Sequence, residues 1–166
     1  DAGIRLHIRQ KRPKGKRRFS EAETILLCHG RLAPGPVAFD LPVPGYSWMD
    51  DFAAQGFNVF TMSVRGFGSS PRPPEMDRTP AGRPPAVRGR TALRDIEAAG
   101  WFICDQNNID RINLLGRSWT TTTTGPFAAA HRNRVRRLVL YAPYYAYDDP
   151  QRAAQLEDPA HPGKWD

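Results

Sequence analysis

Near the start of the chain, Ile4, Leu6 and Ile8 alternate with Arg5, His7 and Arg9. A period of two sends apolar side chains to one face and polar ones to the other, which predicts a strand half covered by a core. Thr24 to Cys28 is instead a short continuous apolar run, as expected of a strand buried on both faces. Residues 57–64, 112–115 and 135–141 read as the next three strands. Helical spacing occupies the intervals: residues 46–55, closed by Gly56, then 87–104 with Leu93, Ile96 and Ile103 as inward candidates, then an Ala-rich segment before the last strand. Strands alternating with helices predict βαβ units, and right-handed crossovers place the helices on both faces of a mostly parallel sheet. The expected class is therefore α/β.

The connections read differently from one another. Lys11, Arg12, Lys14, Lys16, Arg17 and Arg18 surround Pro13 and Gly15 between the first two strands, which predicts a hairpin tip. Residues 34–45 are rich in Pro and Gly, and residues 69–85 are dense in Pro and Arg without periodicity. The second of these is a surface loop long enough to sit over a site. Beyond Ala142-Pro143 the pattern dissolves into Tyr144, Tyr145, Tyr147, Asp148, Asp149 and a polar tail, and no internal repeat is visible.

Composition narrows the function classes. With 166 residues, 40% hydrophobic and 25% charged, the chain suits one globular domain. It has no apolar run of about eighteen residues and no leader-like start, so a soluble chain with a trimmed N-terminus is expected. A net charge of +7 raises nucleic acid as a partner, but the basic cluster has no interleaved aromatics and reads as a solvated turn. Nucleic acid is therefore not expected. Cys28 and Cys104, both in apolar patterns, form neither a disulfide framework nor a metal cluster. They read as core thiols, which suits the cytoplasm slightly better, while a bridge between them in an exported protein stays open.

The chemistry centres on Gly116-Arg117-Ser118-Trp119-Thr120, placed between a predicted strand and a predicted helix. A serine on that tight turn is lifted out of the sheet, and a small neighbour such as Gly116 lets the backbone take a strained conformation. The helix beginning at Trp119 offers free backbone amides and a positive dipole end to a developing oxyanion. A second donor is expected from the loop after the first core strand, where His29 and Gly30 support the amide of Arg31.

His29-Gly30, then Arg65-Gly66-Phe67-Gly68-Ser69-Ser70, then Gly116-Arg117-Ser118-Trp119 follow three successive core strands. In order, spacing and context the chain resembles the α/β-hydrolase fold family over nearly its whole length. Ser118-Trp119 with its following Thr run is similar to the proline-iminopeptidase-like and esterase branches, and residues 136–143 resemble the family's sixth strand. The resemblance implies the N-terminal part of a hydrolase core over 1–143, truncated before the last strands, with 144–166 as the start of a cap or lid.

It also implies a serine hydrolase of small-molecule esters or amides. Ser118 is the nucleophile, the amides of Trp119 and Arg31 form the oxyanion hole, and no metal or organic cofactor takes part. Serine at the elbow argues against relatives that open epoxides or displace halide through an alkyl-enzyme ester.

Departures from the pattern are equally specific. Thr120 occupies the place of the elbow's second glycine, and its β-branch is expected to distort the turn. Ser63 stands where relatives often carry an aspartate. Thr120 to Thr124 with Gly125-Pro126 makes a poor helix, expected to start kinked. The general base and its orienting carboxylate are missing. His161 lies in a polar tail, His131 reads as a solvated helix end, His7 points outward, and Asp148 and Asp149 lead into the cap. The triad is expected to be completed by the missing C-terminal part of the same protein or by a second subunit. The alternative is a non-catalytic hydrolase-fold remnant serving as a binding or structural module.

Overall fold

A computed structural model describes residues 3–79 and 83–144. Tyr145, Tyr147, Asp148, Asp149 and His161 lie outside the described residues. Among the described residues five strands form one sheet: β1 (Ile8–Lys11), β2 (Thr24–Cys28), β3 (Asn58–Met62), β4 (Ile112–Arg117) and β5 (Val135–Tyr141), in the order β1-β3-β2-β4-β5. β2, β3, β4 and β5 run parallel, and β1 is antiparallel to β3. The expected α/β class and mostly parallel sheet are present.

Why the strands take this order follows from their side chains. β2 and β3 are buried along their whole length, so each needs cover on both faces and a partner on both edges. β1 is half polar and suits an edge. It pairs Ile8 with Met62 and Lys11 with Val59, so residues 11–18 are not the expected hairpin tip: they carry the chain past β3 to β2. Within that basic segment Lys11 pairs with Asp40 and Asp50, while Lys16 pairs with Glu23 and lies over the Phe19 ring.

Alternation along the buried strands feeds two cores. Ile25, Leu27, Val59 and Leu115 point to one face and meet Phe39 of α1 (Gly35–Phe39) and Met49 of α2 (Trp48–Ala54). Leu26, Cys28, Phe60, Met62, Ile112 and Leu114 point to the other. There they meet Ala92, Ile96, Ala99 and Ile103 of α3 (Gly89–Asn107) and Phe127 of α4 (Thr121–Ala130). Fully burying side chains of this size contributes about 1.5–3 kcal/mol each, before the entropy of ordering them is counted.

Local chemistry sets the helix limits. α2 begins two residues inside the predicted span because the Ser47 hydroxyl accepts the Asp50 amide and caps it. α3 runs past the prediction to an Asn108 cap at φ 53°, a left-handed position that asparagine tolerates. α1 forms inside the Pro- and Gly-rich connection, where Gly35 lies against β3: a Cβ there would stand 2.2 Å from the Met62 carbonyl oxygen. Residues 69–79 hold a short 3₁₀ turn, Pro74–Asp77, in the expected surface loop.

Among the described residues, β5 is an edge strand, with Leu138, Val139, Leu140 and Tyr141 exposed. No helix among them is long and apolar enough to cross a membrane.

Candidate functional site

β4 ends in extended backbone at Arg117, and the chain then turns at Ser118, whose φ is 52°. A non-glycine residue in the left-handed region costs about 1–3 kcal/mol, so the surrounding structure has to enforce it. It does so from two sides. After Ser118 the backbone closes immediately into the 3₁₀ turn Ser118–Thr120, which runs into α4. Behind it Gly116 lets the helix approach the strand, since a Cβ there would lie 2.2 Å from Thr124 Oγ1 and 3.1 Å from the Thr120 carbonyl.

The threonine run is adapted to this start. Thr121, Thr122, Thr123 and Thr124 each donate a hydroxyl hydrogen bond back to a carbonyl three or four residues earlier. Such back-bonding takes up the rotamer freedom that makes threonine a weak helix former and bends the helix it decorates. Pro126 sits inside α4 without an amide to donate.

Thr120 is fully buried. Its hydroxyl accepts the Arg117 amide at 3.2 Å and donates to the Cys28 carbonyl at 2.9 Å. The β-branched side chain that was expected to distort the turn is accommodated by those two bonds.

Facing the elbow is the loop after β2. A Cβ on Gly30 would lie 3.2 Å from Ser118 Cβ, 3.3 Å from the Arg117 carbonyl oxygen and 3.7 Å from Ser118 Oγ. Glycine is what lets this loop come so close to the serine. Arg31, next along, is exposed, and its amide makes no backbone hydrogen bond to a described residue. Trp119 stands in the first turn of the helix, where an amide has no helical carbonyl one turn back.

His29 is fully buried beneath this loop. The Val64 amide donates to Nε2 at 3.0 Å, so that nitrogen carries no proton, and Nδ1–H donates to the Gly30 carbonyl at 2.6 Å. Burial lowers its pKa below the usual histidine value, partly offset by the Gly30 bond. A neutral imidazole thus clamps the loop to the end of β3. Its ring lies 4.8 Å from that of Phe67, which in turn lies 6.4 Å from Trp119.

Phe67 is carried by the turn after β3, and Arg65 anchors that turn. The Arg65 guanidinium and its backbone amide both bond the carboxylate of Asp95 on α3, with Nε at 2.9 Å and the amide at 2.9 Å. Both residues are buried. Asp95 was missed in the sequence, although a carboxylate on the same helical face as Ala92, Ile96 and Ala99 was a visible signal.

The remaining predicted residues lie elsewhere. His131 is only partly solvated: it ends α4, bonds Glu97 at 3.0 Å and packs against the rings of Trp101 and Phe127. His7 does not point into open solvent either, since its Nδ1 is buried and unpartnered among the described residues. Ser63 Oγ shares that condition. Cys28 and Cys104 are free and buried, and burial pushes both thiols up. A groove of about 460 Å³ over β1 and α3, lined by Ile4, Leu6, Ile8, Phe60, Ala99 and Phe102 among others, is not part of this site. Among the described residues no group of three or more His, Cys, Asp or Glu could hold a metal ion.

Known proteins share this fold. No curated protein sequence matches the chain. Among solved structures it is similar to an esterase from Exiguobacterium antarcticum, at 16% identity and TM-score 0.59 over 85% of this chain and 42% of that one. A thioesterase domain from the curacin biosynthetic pathway is similar at 18% identity and TM-score 0.62, over 93% and 48%. A mutant epoxide hydrolase from Bacillus megaterium is similar at 15% identity and TM-score 0.62, over 94% and 47%. The chain thus spans less than half the length of these structures, and at such identities the likeness concerns the fold. The family model described as alpha/beta hydrolase fold matches residues 23–165. The chain belongs to the α/β-hydrolase fold family.

Proposed function

We propose that this chain carries the nucleophile and oxyanion-hole side of a serine hydrolase acting on small-molecule esters or amides. The observation that supports it most is Ser118 itself, a non-glycine residue at φ 52° between β4 and the helix, with Gly30 against its side chain. Strain of this kind clusters where a fold presents a reactive group. In this reading Ser118 Oγ attacks the acyl carbon, and the amides of Trp119 and Arg31 take the oxyanion of the tetrahedral intermediate. The leaving group departs from that intermediate with a proton, and water then releases the acyl group. Esterase, lipase and aminopeptidase chemistry all fit.

The histidine and carboxylate that activate Ser118 come, on this proposal, from the C-terminal part of the same protein or from a second subunit, with 144–166 leading into a cap. A second reading is a non-catalytic binding module. It is favoured by the described histidines, because His29 has both ring nitrogens engaged and His131 is held by Glu97 at the far end of α4.

Labelling with a fluorophosphonate separates the two. Rapid modification of the full-length protein that vanishes in Ser118→Ala supports the hydrolase. Wild-type protein that stays unlabelled while fully folded leaves the binding module.

A further inference from the structure

We infer that Thr120 is a positioning residue that ties the two halves of the oxyanion hole together, an inference that rests on the reading of Ser118 as nucleophile. The two amides proposed to hold the oxyanion belong to different segments: Trp119 to the elbow after β4, Arg31 to the loop after β2. Their separation is set by whatever joins those segments. The β2 and β4 ladder runs from Ile25 opposite Asn113 to Cys28 opposite Gly116 and stops there. Beyond that point Arg117 pairs only with Tyr141 of β5, and His29-Gly30-Arg31 and Ser118-Trp119 have left the sheet.

Thr120 makes the next connection. Its hydroxyl has one proton, and the shorter contact gives that proton to the Cys28 carbonyl, 2.9 Å away. Its lone pair accepts the Arg117 amide at 3.2 Å. The side chain thus replaces the missing rung with a bridge from the last residue of β2 to the residue preceding the nucleophile. Full burial keeps water from competing for either bond. Gly30, seated against Ser118 Cβ and the Arg117 carbonyl, leaves the loop little room to settle elsewhere. A glycine at position 120 would allow the same close approach of helix and strand but could form neither side-chain bond. Here the hydroxyl does the holding.

The test compares Thr120→Ser, Thr120→Val and Thr120→Gly in the full-length protein, with Ser118→Ala as blank. The measurements are the rate of fluorophosphonate labelling and the hydrolysis of p-nitrophenyl acetate, beside thermal unfolding. Serine keeps the hydroxyl, valine keeps the shape, and glycine keeps neither. Displacing an oxyanion donor is expected to slow labelling and kcat by about 10- to 100-fold with KM nearly unchanged. Thr120→Ser should then stay near wild type while Thr120→Val falls. If Thr120→Val does not fold, Thr120→Gly takes its place in the comparison. Labelling of the valine or glycine variant at the wild-type rate overturns the tie, as does a Thr120→Ser variant as slow as Thr120→Val. Wild-type protein that is never labelled removes the nucleophile itself, a failure distinct from the other two.

Discussion

Replacing Asp95 with alanine leaves the Arg65 guanidinium buried without its carboxylate. The pair lies well inside the protein, with Arg65 7% and Asp95 1% exposed, so solvent offers little compensation. Removing one partner of such a pair costs about 3–5 kcal/mol, because the remaining charge has already lost its water. Against a typical stability of about 5–15 kcal/mol this is a large fraction. For a domain of this size each kcal/mol shifts Tm by roughly 2–4 °C, so Asp95→Ala should unfold about 6–20 °C below wild type. Thermal unfolding followed by circular dichroism measures it directly. The control is Arg65→Met with Asp95→Leu, which removes both charges and should recover much of the loss, since apolar replacement of a whole buried pair is often close to neutral. Asp95→Ala unfolding within about 2 °C of wild type would refute the assignment of the pair as the anchor of the turn bearing Phe67.

Three further outcomes follow from the same geometry. Gly116→Ala places a Cβ against Thr124 Oγ1 and the Thr120 carbonyl, and should cost about 1–3 kcal/mol in urea unfolding, partly relieved by adding Thr124→Ala. Ser63→Ala removes a buried hydroxyl that has no partner among the described residues, and should leave stability unchanged within about 1 kcal/mol or raise it; a larger loss would reveal a hidden partner. His29 is neutral in the fold and its pKa is lowered, so the unfolded chain binds its proton first on acidification. Its contribution is fully present above the ordinary histidine value, about 6.5, and is lost as pH falls below it, at up to about 1.4 kcal/mol per pH unit. Urea unfolding at pH 7.5, 6.0 and 5.0 should show that slope in the wild type and a shallower one in His29→Gln.

What the chain announces locally and what it conceals divide along a physical line. The strand at 24–28 was readable because burial on both faces demands apolar sequence, and those at 57–64, 112–115 and 135–141 because short apolar clusters recur between the helical stretches. The helix 87–104 was readable because its inward face repeats. Gly30, Gly116 and Ser118 could be located because tight turns and close approaches require particular residues at particular spacings. Each of these signals is carried by neighbours in the chain.

The pairing of β1 with β3 was not readable, because a basic turn between two successive strands looks the same whether or not they hydrogen-bond to each other. Nor was the fate of Thr120. Its propensity and branching argue against the elbow, and only the Cys28 carbonyl, 92 residues earlier, converts it from a misfit into a bridge. The same holds for Asp95 and Arg65, separated by 30 residues, and for His29, whose tautomer is set by the Val64 amide across 35. The sequence by itself determined the α/β class, the places where the backbone must turn tightly and the candidate nucleophile, since these depend on local sterics and periodicity. Tertiary structure decided which groups stand within hydrogen-bond reach of one another, because that distance depends on how the strands are ordered in the sheet.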